Sequence, residues 1–579
     1  MKKSIFIILT VLLTVGCNDD YLELYPDDAV TDQIFWKTTD DLKVFSNQFY
    51  NSLDGPQNIL RPDDLTDNQV PTNLDEYTNG LTVVPTAAGD AGWDWDGIRN
   101  TNYFLKRYQT VEGNPADIAQ YVAEVRYFRA KFYIDKVVRF GDVPWYDTDL
   151  DTESEEALFK GRDSRELVMA NVMADLDFAI ANLPESPASG RLSTYAAAAL
   201  KSRAALFEGT FRKYHQGTTT YSGGDDGTQL LQESVEASKY IIDSGKFNIA
   251  QLSGDSESDY ENLFIQEELN GNEEAIMIRR YQANVLTHNL TRIVQEERTG
   301  FSKEMIESYL VNNGLPISYN GTLNAAYQGD NLLVDEIADR DPRLKQSIWY
   351  PGRVWQVSET GEQTFLSDFP DFNRQSTGYY ITKYSSPSIQ QQNFRLSTLD
   401  VFVYRFAEVL LNYAEANAEL GTLDQAVLDI SINVLRDRIA MPHMTTSDGS
   451  QVGSEAMPGV SVTTSVTWSN YGYSITPVLH EIRRERRIEM AIEGLRFQDL
   501  LRWRAGDLLN NPNAVLGIRI TDDMKTKWPV LEPFTTNADK LLVVYIDKPD
   551  RVWDDKLYLR PLPSNELILN TNLTQNPGW

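Results

Sequence analysis

Two tryptophans stand where their side chains could stack on a ligand. Trp93 and Trp95 lie among glycines and aspartates in the stretch Gly89–Asp96, at the end of a long polar segment that runs from Gly55 to Gly92. Sugar rings expose apolar faces that pack on aromatic rings, and their hydroxyl groups bind polar side chains. We therefore predict that at least one of the two indoles contacts a ligand. The alternative is that both pack against the start of the following helix, since tryptophan is usually largely buried.

Three further aromatic residues could complete such a site. Tyr281, Tyr319 and Trp355 lie in the middle of the chain, in a region of short mixed segments and many turns. Together with the two tryptophans they could form an aromatic arc around a ligand, and we predict them as further ligand contacts. For each residue taken singly, a position in the hydrophobic core is the alternative.

The stretch Leu479–Gly506 suggests a different kind of chemistry. It contains seven arginines in a chain whose formal net charge is -31, which at first indicates an anion site. The charges alternate at helical spacing, however, and an apolar stripe runs along one face. The stretch is therefore predicted to be structural, held by its own ion pairs, rather than an anion site. The predicted i,i+3 pairs are Glu481–Arg484, Arg486–Glu489, Glu493–Arg496, Arg496–Asp499 and Asp499–Arg502.

No set of residues singles out a catalytic centre. The chain has 84 aspartates and glutamates, so by chance alone some pair will lie at the separation found in glycosidases. Nothing in the sequence distinguishes one pair from the others. The four histidines, His215, His288, His443 and His480, are scattered and form no zinc-protease motif, and no phosphate-binding glycine loop occurs. We therefore predict no catalytic residues; a surface glycoside hydrolase is the alternative of another class.

Two acidic segments are candidate metal sites. Asp147–Glu156 and Asp255–Glu261 alternate carboxylates in a way that could bind calcium. Both lack the glycine and the final bidentate glutamate of an EF-hand loop, so solvated acidic loops are the favoured interpretation. We predict no cofactor and no metal ligand, with calcium as the alternative.

The composition indicates an ordered, acidic protein. The chain has 579 residues, of which 41% are hydrophobic and 11% aromatic, enough to build a large core. A sequence pI near 4.6 argues against nucleic acid as a partner, because binding to phosphates needs clustered unpaired Lys and Arg. Neutral ligands are favoured.

The N-terminus carries an export signal that ends at the one cysteine of the chain. Two lysines precede an apolar run, and Cys17 follows a small residue at the expected cleavage point. This pattern predicts a signal peptide over residues 1–16 and a lipid-modified Cys17; an ordinary signal peptide with an incidental cysteine is the alternative. No later apolar run is long enough to span a membrane, so the sequence predicts a protein that is anchored rather than spanning.

The spacing of apolar residues predicts the elements that carry these residues. Helices are expected over 39–53, 95–108, 115–140, 164–182, 195–214, 230–244, 403–420 and 424–439. Helix pairs of similar size predict a mainly α fold, a tetratricopeptide-like helical-pair scaffold of about eight helices. The scaffold is expected mainly in 35–250 and 400–510 of one domain over 17–579. An irregular, loop-rich region with short strands, mainly 55–95 and 260–397, is expected to face the ligand.

Short motifs spread over nearly the whole chain point to a known family. They are Cys17 with acidic residues after it, Phe35-Trp36 with Asp40-Asp41, Arg126 and Arg129 before Phe140-Gly141-Asp142-Val143-Pro144, Arg340-Asp341-Pro342-Arg343-Leu344, Gly378-Tyr379 before Lys383-Tyr384, Arg405 to Leu411 with Tyr413-Ala414-Glu415-Ala416, Asn433 with Arg436 and Arg438, Arg483 to Trp503, and Gln575-Asn576-Pro577-Gly578. In this order they resemble the SusD/RagB-like outer-membrane lipoproteins of Bacteroidetes. The loop Met441 to Pro477 is longer than usual for that family, and Gly55 to Gly92 has little that matches it.

The resemblance implies a function as well as a fold. Members bind an oligomeric nutrient, usually a glycan, at the cell surface, and act as the lid of a SusC-like TonB-dependent transporter in the outer membrane. Asn100 follows Trp95 at a spacing similar to that of the stacking tryptophan and polar asparagine of the starch-binding member, so we add Asn100 to the predicted ligand contacts. Capture of oligopeptides, as in the RagB-type branch, is the alternative among binding functions.

Overall fold

A computed structural model describes residues 35–150, 153–296, 298–319, 322–366, 371–447, 451–454, 471–546 and 551–579. The predicted signal peptide, Cys17 and the middle of the long 441–477 loop lie outside the described residues.

Helices account for most of the regular structure. The α-helices are α1 Thr39–Ser46, α2 Pro56–Leu60, α3 Ala88–Ala91, α4 Asp96–Arg107, α5 Pro115–Phe140, α6 Glu155–Leu158, α7 Arg165–Asn182, α8 Thr194–His215, α9 Thr228–Asp243, α10 Asp259–Leu263, α11 Leu290–Glu296, α12 Lys303–Ser308, α13 Leu333–Glu336, α14 Pro342–Ser347, α15 Ile389–Gln392, α16 Phe406–Leu420, α17 Gln425–Asp429, α18 Ile432–Arg438, α19 Pro477–Glu489, α20 Arg496–Arg502, α21 Asp522–Lys527 and α22 Ser564–Leu569. Turns of 3-10 helix span Asn47–Ser52, Arg61–Leu65, Tyr108–Thr110, Gly506–Asn510, Pro512–Val515, Pro529–Leu531 and Asp555–Tyr558. No helix in the described part of the chain is long and apolar enough to cross a membrane.

The strands are short and lie in antiparallel pairs. They are β1 Ala275–Arg279, β2 Ser318–Tyr319, β3 Thr322–Leu323, β4 Val354–Val357, β5 Gln363–Phe365, β6 Val401–Arg405, β7 Met444–Ser447, β8 Gln451–Ser454, β9 Leu516–Arg519 and β10 Leu541–Val543. β1 pairs with β6 across a long sequence separation, whereas β2–β3, β4–β5 and β7–β8 are local hairpins and β9 pairs with β10. The expectation of an irregular middle region with short strands is confirmed.

The long helices stack side by side and confirm the predicted helical-pair scaffold. α5 packs on α7, α7 on α8, α8 on α9, α9 on α16 and α16 on α19, so most contacts join helices close in sequence. Local signals fix the ends of these helices. Asn114 accepts a hydrogen bond from the Ala116 backbone N–H at 3.1 Å, with Pro115 at the first helical position. Ser164 caps α7 in the same way.

Three predicted helices differ from the observed elements. The helix expected over 39–53 is α-helical only to Ser46 and continues as 3-10 helix over Asn47–Ser52. The helix expected over 403–420 begins only at Phe406, because Val401–Arg405 is extended and pairs with β1. The β-branched residues Val401 and Val403 favour that strand. The helix expected over 424–439 is broken into α17 and α18, and its break lies at Ser431, whose hydroxyl donates to the Val427 carbonyl.

The arginine-rich stretch also forms two helices, α19 and α20, rather than one. The chain turns between them at Ile492 and Gly494, which have φ values of 63° and 75°. This break removes most of the local pairing expected from the sequence. Glu481–Arg484 and Asp499–Arg502 pair as predicted, at 3.0 and 2.9 Å. The other three predicted pairs are wrong, because their side chains reach partners on other elements.

Those long-range partners anchor a polar segment far away in sequence. Arg496 donates from Nε and Nη2 to both carboxylate oxygens of Asp67, at 2.8 and 2.7 Å. Arg487 donates to the side-chain carbonyl of Asn68 at 2.8 Å. Arg551 adds hydrogen bonds to backbone carbonyls of the same segment, including that of Gln69 at 2.8 Å. Residues 66–69 are fully buried, so this part of the region expected to face a ligand lies in the core.

Gly494 offers a test of this turn. A Cβ at this position would lie 2.9 Å from the Asn58 carbonyl oxygen and 3.1 Å from that of Ile59, in a left-handed backbone conformation. We expect Gly494→Ala to lower the free energy of unfolding by about 2–3 kcal/mol, from the conformational cost plus the clash. Gly421→Ala is the control, since Gly421 has φ 72° and no heavy atom within 4 Å. There the loss should be about 1 kcal/mol, and equal losses in urea denaturation would show that the close approach costs nothing.

Candidate ligand-binding cavity

A tight turn places the two tryptophans. Gly92 ends α3 in the left-handed conformation at φ 71°, and the Trp93 backbone N–H donates to the Ala88 carbonyl at 2.8 Å. Lys136 on α5 stabilises the turn, because its Nζ donates to the Gly92 carbonyl at 2.7 Å. Trp95 then occupies the N-cap position of α4, without a side-chain hydrogen bond to the helix. The glycines around the tryptophans therefore serve the turn that presents them.

The two indoles differ in exposure. Trp93 is only 3% exposed and packs edge to face on Phe140, at 4.9 Å between ring centres. Trp95 is half-buried and meets Trp93 at 5.3 Å and Tyr146 at 5.8 Å, with interplanar angles of 85° and 84°. These edge-to-face contacts are favourable for aromatic pairs and fix the ring of Trp95 at a right angle to Tyr146. Trp95 and Tyr146 thus form an aromatic corner.

A cavity of about 540 Å³ opens at this corner. Its size and its largely apolar walls with a few polar groups are those of a small-molecule site. The lining residues are Trp93, Trp95, Asp96, Ile98, Arg99, Asn102, Pro144, Tyr146, Thr148, Asp149, Leu150, Leu158, Phe159, Lys160, Glu566, Leu569, Asn570 and Leu573.

The floor of the cavity is held by a buried polar network. Asn102 on α4 donates to the Tyr146 carbonyl at 2.8 Å and accepts from Arg129 at 2.9 Å. Arg129 in turn makes a bidentate ion pair with Asp175 on α7, at 2.7 and 2.8 Å. The Tyr146 backbone N–H donates to the Tyr133 hydroxyl at 2.6 Å. Because every member has a partner, the network fixes the position of the segment that carries Tyr146.

The far wall comes from the C-terminal segment. Asn570 donates to the Lys160 carbonyl at 2.9 Å, and Asn572 donates to the Phe159 carbonyl at 2.7 Å. These bonds tie the end of α22 to the segment after α6. Phe159 and Leu569 remain 41% and 67% exposed, so the rim carries apolar surface that a ligand could cover.

Two of the charged groups in the cavity, Asp149 and Lys160, are engaged in ion pairs. Asp149 accepts from Arg107 at 2.8 Å and pairs with Lys106 at 2.8 Å. Burial alone would raise the pKa of Asp149, but hydrogen bonds from Lys106 and Arg107 hold that pKa below its usual range. Lys160 pairs with Asp163 at 2.5 Å. Arg99 is exposed and forms no ion pair within the described residues.

The predicted contacts are only partly brought together. Trp93 and Trp95 both line the cavity, whereas Asn100 is exposed on α4 and does not. Tyr281 is buried, packs on His288 at 4.3 Å and lies outside the cavity. The backbone of Tyr319 lies in β2, and its side chain is outside the described residues.

Trp355 lies on the irregular region as well. It is half-buried on β4 and packs edge to face on Tyr380 at 5.4 Å, away from the cavity lining. No aromatic arc that joins Trp355 and Tyr281 to the two tryptophans is formed by the described residues. Contact of any of the six predicted residues with a ligand stays a prediction.

Several cavity residues escaped the sequence interpretation. Tyr146 lies two residues after Pro144, the last residue of the motif Phe140-Gly141-Asp142-Val143-Pro144, and that position was the available signal. Asn102, rather than Asn100, points into the network. The wall at Leu569 and Asn570 had no local signal, because it depends on contacts between segments about four hundred residues apart.

Within the described ranges, no group of three or more His, Cys, Asp or Glu side chains is arranged to hold a metal ion. The segment Asp255–Glu261 instead forms a turn closed by its own hydrogen bonds, in which the Asp259 carboxylate accepts from the Ser253 and Gly254 backbone N–H groups at 2.7 and 2.9 Å.

The stacked helical pairs define a tetratricopeptide-like α-helical platform, here with an aromatic-cornered cavity. Comparison with known proteins finds a family match in the C-terminal half of the chain. Residues 296–579 match the model of the SusD family. These residues belong to the SusD/RagB-like family.

Individual relatives cover the rest of the chain. SusD-like protein P2 of Formosa agariphila is 24% identical over the full length of both chains. A SusD-like carbohydrate-binding protein from Bacteroides fragilis has a similar structure, with a TM-score of 0.69 and 21% identity over 93% of this chain and 100% of that one. A structure described as a complex with xylogluco-oligosaccharide has a TM-score of 0.61 and 16% identity over 92% of this chain and 97% of that one.

Proposed function

We propose that this protein binds a glycan in the cavity beside Trp95 and delivers it for uptake. The observation that carries the proposal is the aromatic corner of Trp95 and Tyr146 at the mouth of a cavity of about 540 Å³. One ring can stack on the apolar face of a sugar while the other meets its edge. Polar groups of the rim, such as Arg99 and Asp96, are placed to bind hydroxyls.

Relatives support the same class of ligand. One structural neighbour is described as a carbohydrate-binding protein and another as a complex with a xylogluco-oligosaccharide. Both share the helical platform that positions the cavity in this chain. We propose that the ligand here is an oligosaccharide or polysaccharide, without naming its sugars.

The function is proposed to be binding without catalysis. Glycoside hydrolysis needs a carboxylic acid that stays protonated near neutral pH, which requires a raised pKa. In this cavity, Asp149 has its pKa lowered by Lys106 and Arg107, which is the opposite of what a general acid requires. That environment favours a binding role.

The proposed cellular setting follows from the family and from Cys17. We propose that Cys17 is lipid-modified, that the protein is anchored to the outer membrane facing outward, and that it acts as the lid of a SusC-like TonB-dependent transporter. The acidic residues after Cys17 and the family assignment support this setting.

Substitution of Trp95 tests the proposed site. A glycan ligand is first identified by isothermal titration against a panel of oligosaccharides. We then expect Trp95→Ala to weaken the affinity for that glycan by about tenfold or more, because the stacking surface is lost. Phe394→Ala is the matched control, since Phe394 is an aromatic residue 60% exposed outside the cavity. Trp93 is a poor choice because its burial makes an alanine destabilising.

The same titrations separate the alternatives. Unchanged affinity in Trp95→Ala would place the glycan elsewhere on the protein. Release of reducing ends during incubation would reveal a glycosidase. If oligopeptides bind and every glycan fails, the oligopeptide-binding function replaces the one proposed.

A further inference from the structure

Two neighbouring arginines beside the cavity have no acidic partner. Among the described residues, the guanidinium groups of Arg139 and Arg560 form no ion pair and no hydrogen bond. Each guanidinium carries five N–H donors that are always charged. By contrast, every arginine of the 479–506 stretch pairs with a carboxylate. Unpaired adjacent arginines are therefore an exception in a chain with net charge -31.

The backbone and two close contacts hold the arginines together. The Arg560 backbone N–H donates to the Arg139 carbonyl at 2.7 Å. Arg139 lies across the turn at Gly92, where a Cβ would come within 3.0 Å of its Nη1. Arg560 stacks on Tyr77, with its guanidinium carbon 3.3 Å from the ring centre. Burial, followed by the charge of Arg560, lowers the pKa of Arg139, as expected for two cations in proximity.

The nearby carboxylates are turned toward lysines instead. Asp94 lies 3.6 Å from Lys136 Nζ, and Asp135 pairs with Lys131 at 3.0 Å. The two arginines thus leave an excess of positive charge at this point. Because like charges repel, a bound anion would relieve an arrangement that is unfavourable when empty.

Arg139 also lines a hollow next to the proposed glycan cavity. The hollow has a volume of about 320 Å³, and its other lining residues are Gly92, Asp94, Gly97, Ile98, Phe132, Asp135 and Lys136. Ile98 lines both this hollow and the larger cavity, so the two are neighbours. A chain of sugars could therefore occupy the larger cavity and extend toward Arg139.

We propose that Arg139 and Arg560 form a subsite for an anionic group, a carboxylate or a sulfate, on an acidic glycan whose adjoining sugars lie at Trp95. This inference rests on the proposed glycan binding and names the class of glycan. Arginine is suited to the role because its planar fork binds carboxylate and sulfate oxygens in pairs. Specificity for such a glycan would come from charge recognition at the two arginines and from stacking at Trp95.

Isothermal titration with three probes tests the subsite. Oligogalacturonate offers carboxylates, a sulfated galactan oligosaccharide offers sulfates, and a xylogluco-oligosaccharide is neutral. We expect at least one acidic probe to bind the wild type. Arg139→Gln and Arg560→Gln should each weaken the affinity for that probe about five- to tenfold and leave the affinity for a neutral ligand unchanged. Raising the salt concentration should weaken the acidic probe alone. Which acidic probe responds distinguishes carboxylate from sulfate.

Arg395→Gln is the control, an exposed arginine that forms no ion pair among the described residues and lines neither cavity. The subsite is overturned if neither acidic probe binds the wild type. It is also overturned if the Arg139→Gln/Arg560→Gln double variant binds an acidic probe as tightly as the wild type does. If a neutral glycan still binds and Trp95→Ala weakens it, the proposed function stands while the acidic preference falls. Both arginines are at least partly exposed, so the variants should fold; urea midpoints check this.

Discussion

Glu489→Gln is expected to lower the free energy of unfolding by about 3–5 kcal/mol, because it removes the charge shared by several buried arginines. The Glu489 carboxylate accepts from Arg405 at 2.8 Å, Arg438 at 2.5 Å and Arg343 at 2.9 Å. All four side chains are at most 1% exposed. Burial alone would raise the pKa of Glu489, but the charges of Arg438, Arg405 and Arg343 hold that pKa far below its usual range.

The position of Glu489 explains the size of this effect. It is the last residue of α19, and its partners lie at the end of β6, on α18 and on α14. One carboxylate thus joins four elements. Removing one partner of such a group leaves buried charge uncompensated, which costs far more than losing an exposed pair.

Urea denaturation at pH 7 measures the effect, with Asp243→Asn as control. Asp243 pairs with Lys239 at 2.6 Å on the exposed face of α9, with side chains 59% and 51% exposed. Its loss should cost less than about 1 kcal/mol. If both variants unfold at the wild-type urea concentration, Glu489 is not the junction described above.

Glu415→Gln is expected to make stability less sensitive to acid. Glu415 accepts from both terminal nitrogens of Arg502, at 2.5 and 2.7 Å, and from the indole N–H of Trp503 at 2.7 Å. Burial opposes ionisation, but the Arg502 charge and its hydrogen bonds outweigh it and lower the pKa to about 2. A pKa lower in the folded than in the unfolded state adds stability that is present above about pH 4.5 and lost toward pH 2.

The expected contribution is about 3 kcal/mol at pH 7, from a pKa difference of between two and three units. Wild type and Glu415→Gln should therefore differ by roughly that amount at pH 7 and converge as the pH falls below about 4.5. Urea midpoints at pH 7, 5 and 3.5 measure the gap. For the control Asp243→Asn, the difference in stability from the wild type should not change with pH. If the difference between Glu415→Gln and the wild type also stays constant with pH, the assigned pKa is contradicted.

Features set by neighbouring residues could be predicted from the sequence. α5 has the predicted bounds because Asn114, Pro115 and Gly141 are local signals. The helix after the tryptophans was likewise predicted within one residue of its observed bounds, Asp96–Arg107. What could not be predicted depends on distant partners. The charge spacing of α19 suggested Arg486–Glu489, yet Arg486 pairs with Asp499 at 2.9 Å, across the break between α19 and α20.

The candidate site shows the same division. Trp93 and Trp95 were found from composition, but their exposure was not, because it depends on Phe140 and Tyr146. The far wall at Leu569 comes from the C-terminal segment, and hydrogen bonds to the segment after α6 hold it. Periodicity carries no information on such contacts.

The buried segment around Asp67 has a consequence for the order of folding. Asp67 and its partner Arg496 are separated by 429 residues. Helices α5 to α9 pack on sequence neighbours and can associate as soon as they exist. The Asp67 carboxylate, by contrast, can pair with Arg487 and Arg496 only after most of the chain has been made. Closing so large a loop comes late, after the helical stack. The polar segment that precedes the tryptophan turn is therefore among the last parts to fold. The protein completes its proposed binding surface only after its C-terminal region has been synthesised.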